Sequence, residues 1–224
     1  MTNLALAAVA FAAMHLLIAG TRARDGLVAR LGEKPYRGLF SLASAIVLGW
    51  LIVAWGDVRQ PAVTPLLDLR WLAGLLVFVA FVLVVLGLAT PGPTVVGGEK
   101  LLSREEPARG IHRITRHPFL WGVALWALVH LAFNPEPANL VFFGTFALVA
   151  VAGTFSIDAK RARHFGEAWR RYAGATSNIP FAAIAQRRNR LALGELGWAK
   201  LAAAVVAYGL FVALHARFFG LPPA

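Results

Sequence analysis

Six apolar stretches dominate this chain, at about 4–20, 38–55, 71–89, 119–133, 140–156 and 198–218, and most are long enough to cross a hydrocarbon core. Lipid offers no water to satisfy backbone amides and carbonyls, so a segment that crosses it must be a helix or part of a closed barrel. The stretches run far beyond the ten or so alternating residues of a barrel strand. The expected fold is therefore all-α: a polytopic membrane helix bundle of about six transmembrane helices, with a cytoplasmic amphipathic helix added. Composition agrees, since 58% hydrophobic and only 15% charged residues, with a mean hydropathy of +0.65, exclude an ordinary soluble domain. No Lys or Arg precedes the first stretch, so it reads as a retained span rather than a cleavable signal peptide. No repeat breaks the chain, and residues 1–224 are expected to form one membrane domain.

The basic residues orient it. Arg22, Arg24, Arg30, Lys34 and Arg37 follow the first span, and Lys100, Arg104, Arg109, Arg113 and Arg116 follow the third. After the fifth come Lys160, Arg161, Arg163, Arg170, Arg171, Arg187, Arg188 and Arg190. The alternate links hold only Arg59 and Arg70, or no base at all. Lys and Arg accumulate on the cytoplasmic side, so this pattern predicts a multi-pass membrane protein with both termini outside the cytoplasm. The net charge of +11 then serves topology and contact with anionic membrane lipid, worth about 1 kcal/mol per base near the surface. Nucleic acid is not an expected partner, because the bases are divided among three links and no nucleic-acid-binding motif accompanies them.

Two cytoplasmic excursions follow, at about 90–117 and 157–196. The first opens on turn-forming Thr90-Pro91-Gly92-Pro93 and Val95-Val96-Gly97-Gly98 and ends in Arg116-His117-Pro118, where proline suits the first turn of a helix. Arg116 and His117 there fit interfacial anchoring. In the second, Ala162, Phe165, Trp169 and Tyr172 recur at helical spacing opposite a basic face, which predicts an amphipathic helix on the inner leaflet.

Three of the six histidines, His15, His130 and His215, lie inside apolar stretches that exclude most other ionisable groups. An intramembrane imidazole is a functional-site candidate by default, and histidines on facing helices commonly hold metal or haem. Ala5, Ala8, Ala12 and Ala19 share a helical face with His15, which predicts that it points into the bundle. Gly122, Trp126 and Asn134 form a stripe with His130, and Tyr208 and Phe211 one with His215. The bland alternative for each histidine is a hydrogen bond to a neighbouring carbonyl. Cysteine is absent, which removes thiolate sites and covalent haem attachment, and no nucleotide-binding or zincin motif is present.

The run Phe11-Ala12-Ala13-Met14-His15 leading to Arg22, the segment from Arg109 through Arg116-His117-Pro118 to Gly122, and Trp126-Ala127-Leu128-Val129-His130 resemble the NnrU family of membrane proteins. So do Gly153 to Asp158 with Lys160-Arg161, Trp169 ahead of Asn178-Ile179-Pro180-Phe181, and the tail from His215 to Gly220. The family is linked to bacterial denitrification and nitric oxide metabolism, and includes the 15-cis-ζ-carotene isomerases. The isomerase branch carries non-covalent haem b between two histidines. The resemblance implies those ligands at His15 and His130, both metal-binding and catalytic. It further implies redox-gated isomerisation of a carotenoid-like hydrophobic small molecule, with denitrification proteins as possible partners. This chain departs from the isomerases in having Ala127 where a cysteine lies near the second histidine, and its His215 tail follows the bacterial branch.

At about 1.5 Å rise per residue, His15 and His130 differ in depth by roughly 10 Å if span one ends near Gly20. His130 with His215 is thus an alternative pair, and Arg22 and Arg116 are candidate partners for haem propionates. A weaker likeness joins Arg116-His117-Pro118, Phe165-Gly166-Glu167 and Tyr172 to isoprenylcysteine and phospholipid methyltransferases, which implies S-adenosylmethionine near His117 and Asp158. The remaining alternative is a non-catalytic membrane factor supporting nitric oxide reductase. The cofactor-binding candidates are thus His15, His130, His215, Trp126, Arg22, Arg116 and His117.

Overall fold

A computed structural model describes residues 1–59, 69–95, 97–104, 106 and 108–220. Val96, in the turn read from sequence, lies outside them. The described residues are helical, with no strand. The helices are α1 (Thr2–Ala13), α2 (Arg22–Leu31), α3 (Glu33–Gly56), α4 (Arg70–Ala89), α5 (Pro118–Phe133), α6 (Pro137–Ala175), α7 (Ala182–Ala185) and α8 (Trp198–Phe219). A π-helix, Met14–Ala19, continues α1 directly. Among the described residues five helices, counting α1 with its π-helical extension, are long and apolar enough to cross a membrane, and α5 is a shorter apolar sixth. The protein is thus an all-α multi-pass membrane bundle. Leu39, Leu42, Ile46 and Val53 of α3 are among many large apolar side chains left exposed, which is sensible only against lipid.

Two details differ from the expectation. The link after span one contains α2, capped by Thr21, whose Oγ1 accepts from the Ala23 amide at 3.2 Å, and ended by Gly32 at φ +85°. The amphipathic segment of the second excursion is helical as expected, but it does not turn its apolar face to lipid. Non-helical backbone at Gly166 (φ 47°, ψ −114°) divides α6 into two helices, and Trp169 and Tyr172 beyond that kink are buried against Leu102 and Ala108. Protein covers that face because the first excursion supplies its own apolar residues there.

The chain forms two compact units, Met1–Leu67 with Ala127–Ser156 and Asp68–Trp126 with Ile157–Ala224. In the first, α1 packs on α3. The packed stripe of α1 and its π-helical extension is Leu4, Ala7, Ala8, Phe11 and Met14, whereas Ala5 faces outward. The small-residue face drawn through Ala5, Ala8, Ala12 and His15 is therefore rotated from the one the helix uses, since bulky Leu4 and Phe11 bury more apolar area than alanines.

In the second unit, α4 packs on α8. The α4 and α5 backbones approach closely where glycine allows it: a Cβ on Gly122 would lie 2.7 Å from Val84 Cγ2 and 2.8 Å from the Ala80 carbonyl oxygen. Gly144 has nothing within 4 Å. Gly122→Leu is expected to destabilise by about 1–3 kcal/mol through overpacking, read as a lowered thermal midpoint in detergent, while Gly144→Ala leaves the midpoint unchanged or raises it.

Candidate functional site

The most polar buried cluster lies in the second unit, around Asp158 of α6. Arg116 reaches it with a two-pronged contact, Nε at 2.9 Å and one terminal nitrogen at 2.6 Å from Oδ2. His117 Nε2–H donates to Oδ1 at 2.7 Å, and Asn178 Nδ2 donates to Oδ2 at 3.2 Å. Both carboxylate oxygens are thus occupied by charged or polar donors. The Arg116 guanidinium also lies over the Trp169 ring, 5.8 Å from its centroid.

Two segments distant in sequence bring these groups together. The Arg116 amide donates to the Ser177 carbonyl at 3.0 Å and the Phe181 amide to the Ile114 carbonyl at 2.8 Å. Thr115 Oγ1 donates to the Asn178 carbonyl at 2.5 Å, and Trp121 Nε1 to Asn178 Oδ1 at 3.3 Å. The turn after α6 is held in turn by Arg188, which donates to the Thr176 carbonyl at 2.8 Å and also to that of Gly174. A cation on these carbonyls satisfies orphan acceptors at a helix C-terminus.

Beside this cluster, His112 is 1% exposed and its Nε2–H donates to the Thr90 carbonyl at 3.1 Å. Arg113 grips Glu195 through Nε at 2.8 Å and a second nitrogen at 2.9 Å, and Glu195 also accepts from the Gly110 amide. Arg113 holds the Glu195 carboxyl down to about 2. Burial lowers the pKa of both His112 and His117, and for His117 it outweighs the Asp158 contact.

The intramembrane histidines have different surroundings. His15 lies in the π-helical turn. Its Nδ1–H donates to the Phe11 carbonyl at 2.8 Å, so Nε2 keeps its lone pair and faces the Ser44 hydroxyl at 3.4 Å. Phe11 and Phe40 flank the ring at 4.3 and 5.5 Å. His130 stacks on Phe143 at 4.6 Å. Both belong to the first unit; His215 belongs to the second, between Phe211 and Phe219. Among the described residues no group of three or more His, Asp or Glu side chains forms a metal site. Trp126 and Phe211 meet in an apolar cavity of about 190 Å³ with Phe81 and Val84, while the Tyr208 hydroxyl donates to the Gly74 carbonyl. Arg22 opens α2 and is exposed.

The family model described as NnrU protein matches residues 3–223. The chain belongs to the NnrU family. No curated protein and no solved structure matches it significantly. For this NnrU chain, sequence reasoning named Arg116, His117 and Asp158 but missed that Asn178 completes their cluster and that Glu195 holds the neighbouring Arg113. Asn178 carried a signal, a polar residue within the Asn178–Phe181 element of the family pattern; Glu195 carried none.

Two predictions follow from the geometry. Asp158→Ala strands a largely buried guanidinium and is expected to destabilise by about 3–5 kcal/mol, seen as loss of the folded detergent-stable monodisperse species. His112 and His117 are neutral when folded but charge more readily when unfolded, so protonation favours the unfolded state. Their contribution is present above the ordinary histidine value of 6.5 and is lost as pH falls below it. A lower thermal midpoint near pH 5.5 than near pH 7.5 is expected, with a weaker dependence in His112→Gln.

Proposed function

We propose that this NnrU protein binds haem b in the membrane through His15 and His130 and uses it for redox-gated isomerisation of an apolar conjugated molecule. The observation that carries the reading is His15 itself. It stands in a π-helical turn, a departure from regular helix that recurs at functional sites. Its Nδ1–H is tied to a backbone carbonyl, the arrangement that orients an imidazole and leaves Nε2 as the ligating atom. An imidazole ligand in an apolar, aromatic setting suits haem iron, and His130 on its Phe143 ring is the second ligand implied by the family. Bound haem would supply a redox-active iron centre for chemistry on a conjugated double bond or on nitric oxide, with His15 and His130 as the residues that would hold it.

The chain's own residues would hold and shield the group. Arg22, exposed at the start of α2, is the candidate partner for a propionate, since Arg116 is already committed to Asp158. The cavity at Trp126 and Phe211 suits an apolar ligand. The basic links support an orientation with both termini outside the cytoplasm. S-adenosylmethionine-dependent methyl transfer is the weaker reading, because the donors on Asp158 leave its carboxylate little capacity for a cofactor hydroxyl or amine.

Protein expressed with ample haem and purified in detergent should show a Soret band, with split visible bands on dithionite reduction and about one haem per chain by pyridine haemochrome. His15→Ala and His130→Ala should each lose or alter that spectrum, and His215→Ala should keep it. Featureless wild-type protein overturns haem binding. Colour lost in His215→Ala but kept in His15→Ala reassigns the ligand pair.

A further inference from the structure

The second unit holds a half-open cleft of about 480 Å³ beside the end of α4 and the start of α8. Its two carboxylates, Glu106 and Glu195, are already engaged by Arg113, at 3.5 and 2.8 Å. Three further cations line the same cleft: Arg104, Arg109 and Lys200. Lys200 Nζ donates to a neutral oxygen, Thr90 Oγ1, at 3.0 Å. The Arg104 and Arg109 side chains form no ion pair or hydrogen bond among the described residues, and both residues are exposed. Counting Arg113, four cations face two carboxylates among the described residues around the cleft, an excess of positive charge.

The wall is fixed rather than adaptable. Thr90 is 8% exposed; its carbonyl is occupied by His112 and its hydroxyl holds Lys200. Gly110 sits at φ +56°, where a Cβ would come within 3.0 Å of the Glu195 carbonyl oxygen, so glycine lets Arg109 and Glu195 share one rim. Planar guanidinium forks with a neighbouring ammonium suit a tetrahedral phosphate. The volume exceeds that of inorganic phosphate several times and leaves room for an organic substituent. Trp198, two residues before Lys200 and 84% exposed, opens an apolar span, and tryptophan at such a position favours the headgroup level of a membrane.

We propose that the cleft lined by Arg104, Arg109 and Lys200 is a binding site for a phosphate ester, supplied by a phospholipid headgroup or a soluble metabolite. The site is independent of haem. Its recognition groups come from the Arg109-Gly110 portion of the first excursion and the first turn of α8.

Delipidated full-length protein in neutral detergent would be titrated calorimetrically with glycerol 3-phosphate, dioctanoyl phosphatidylglycerol and uncharged dioctanoylglycerol. At least one phosphate probe should bind. That binding should weaken at least tenfold, about 1.4 kcal/mol, in Arg104→Gln/Arg109→Gln and also in Lys200→Gln, but not in the exposed pair Arg163→Gln/Arg171→Gln. Binding of phosphatidylglycerol alone assigns a lipid headgroup; binding of glycerol 3-phosphate as well assigns the phosphate ester itself. The site is refuted if neither phosphate probe binds, if dioctanoylglycerol binds equally well, or if both arginine pairs lose binding equally. Thermal midpoints of the variants keep failure to fold separate from failure to bind.

Discussion

Asp158 is the residue on which the second unit's polar architecture depends. A carboxylate there, mostly removed from water, is tolerable only because Arg116, His117 and Asn178 replace its hydration with hydrogen bonds. Those donors come from the segment before α5 and the turn after α6, so satisfying one charge also fixes where both segments lie. The backbone pairing of Ile114 and Arg116 with Phe181 and Ser177 then follows. Arg113 with Glu195 repeats the device one turn away and fixes the segment leading into α8. A loop-rich region beside a membrane bundle thereby acquires defined geometry without a large apolar core of its own.

The same physics divides the histidines into two kinds. His112 and His117 are buried with polar partners and stay neutral, which makes them parts of the scaffold. His15 is only half-buried, lies in a π-helical turn and has one nitrogen tied to its own helix. That tie holds the imidazole in one tautomer and directs the other nitrogen away from the backbone. The proposed haem ligands and the phosphate-ester cleft therefore rest on different residues and on different units of the chain.

Much of the fold was legible in the sequence because hydrocarbon thickness and the need to satisfy backbone groups leave few choices. The ends of α4 and α8 differ by one residue from the apolar stretches at 71–89 and 198–218. The face of α1 was harder to read. Alanine spacing suggested one stripe, while Leu4, Phe11 and Met14 define the packed one. The amphipathic pattern at Phe165, Trp169 and Tyr172 was correct as a pattern, but amphipathicity does not say whether lipid or Leu102 covers the apolar side.

By itself, the sequence determined that this chain is a multi-pass helical membrane protein of the NnrU family, with histidines retained in its spans. Length and hydropathy carry that information locally, because each span must satisfy its own backbone in lipid. Only the tertiary structure decided that Asp158 belongs to Arg116 and His117, that Glu195 belongs to Arg113, and that Arg104, Arg109 and Lys200 share one cleft. The charge pairings join residues 41 to 82 positions apart, and no local periodicity encodes which charge will neutralise which.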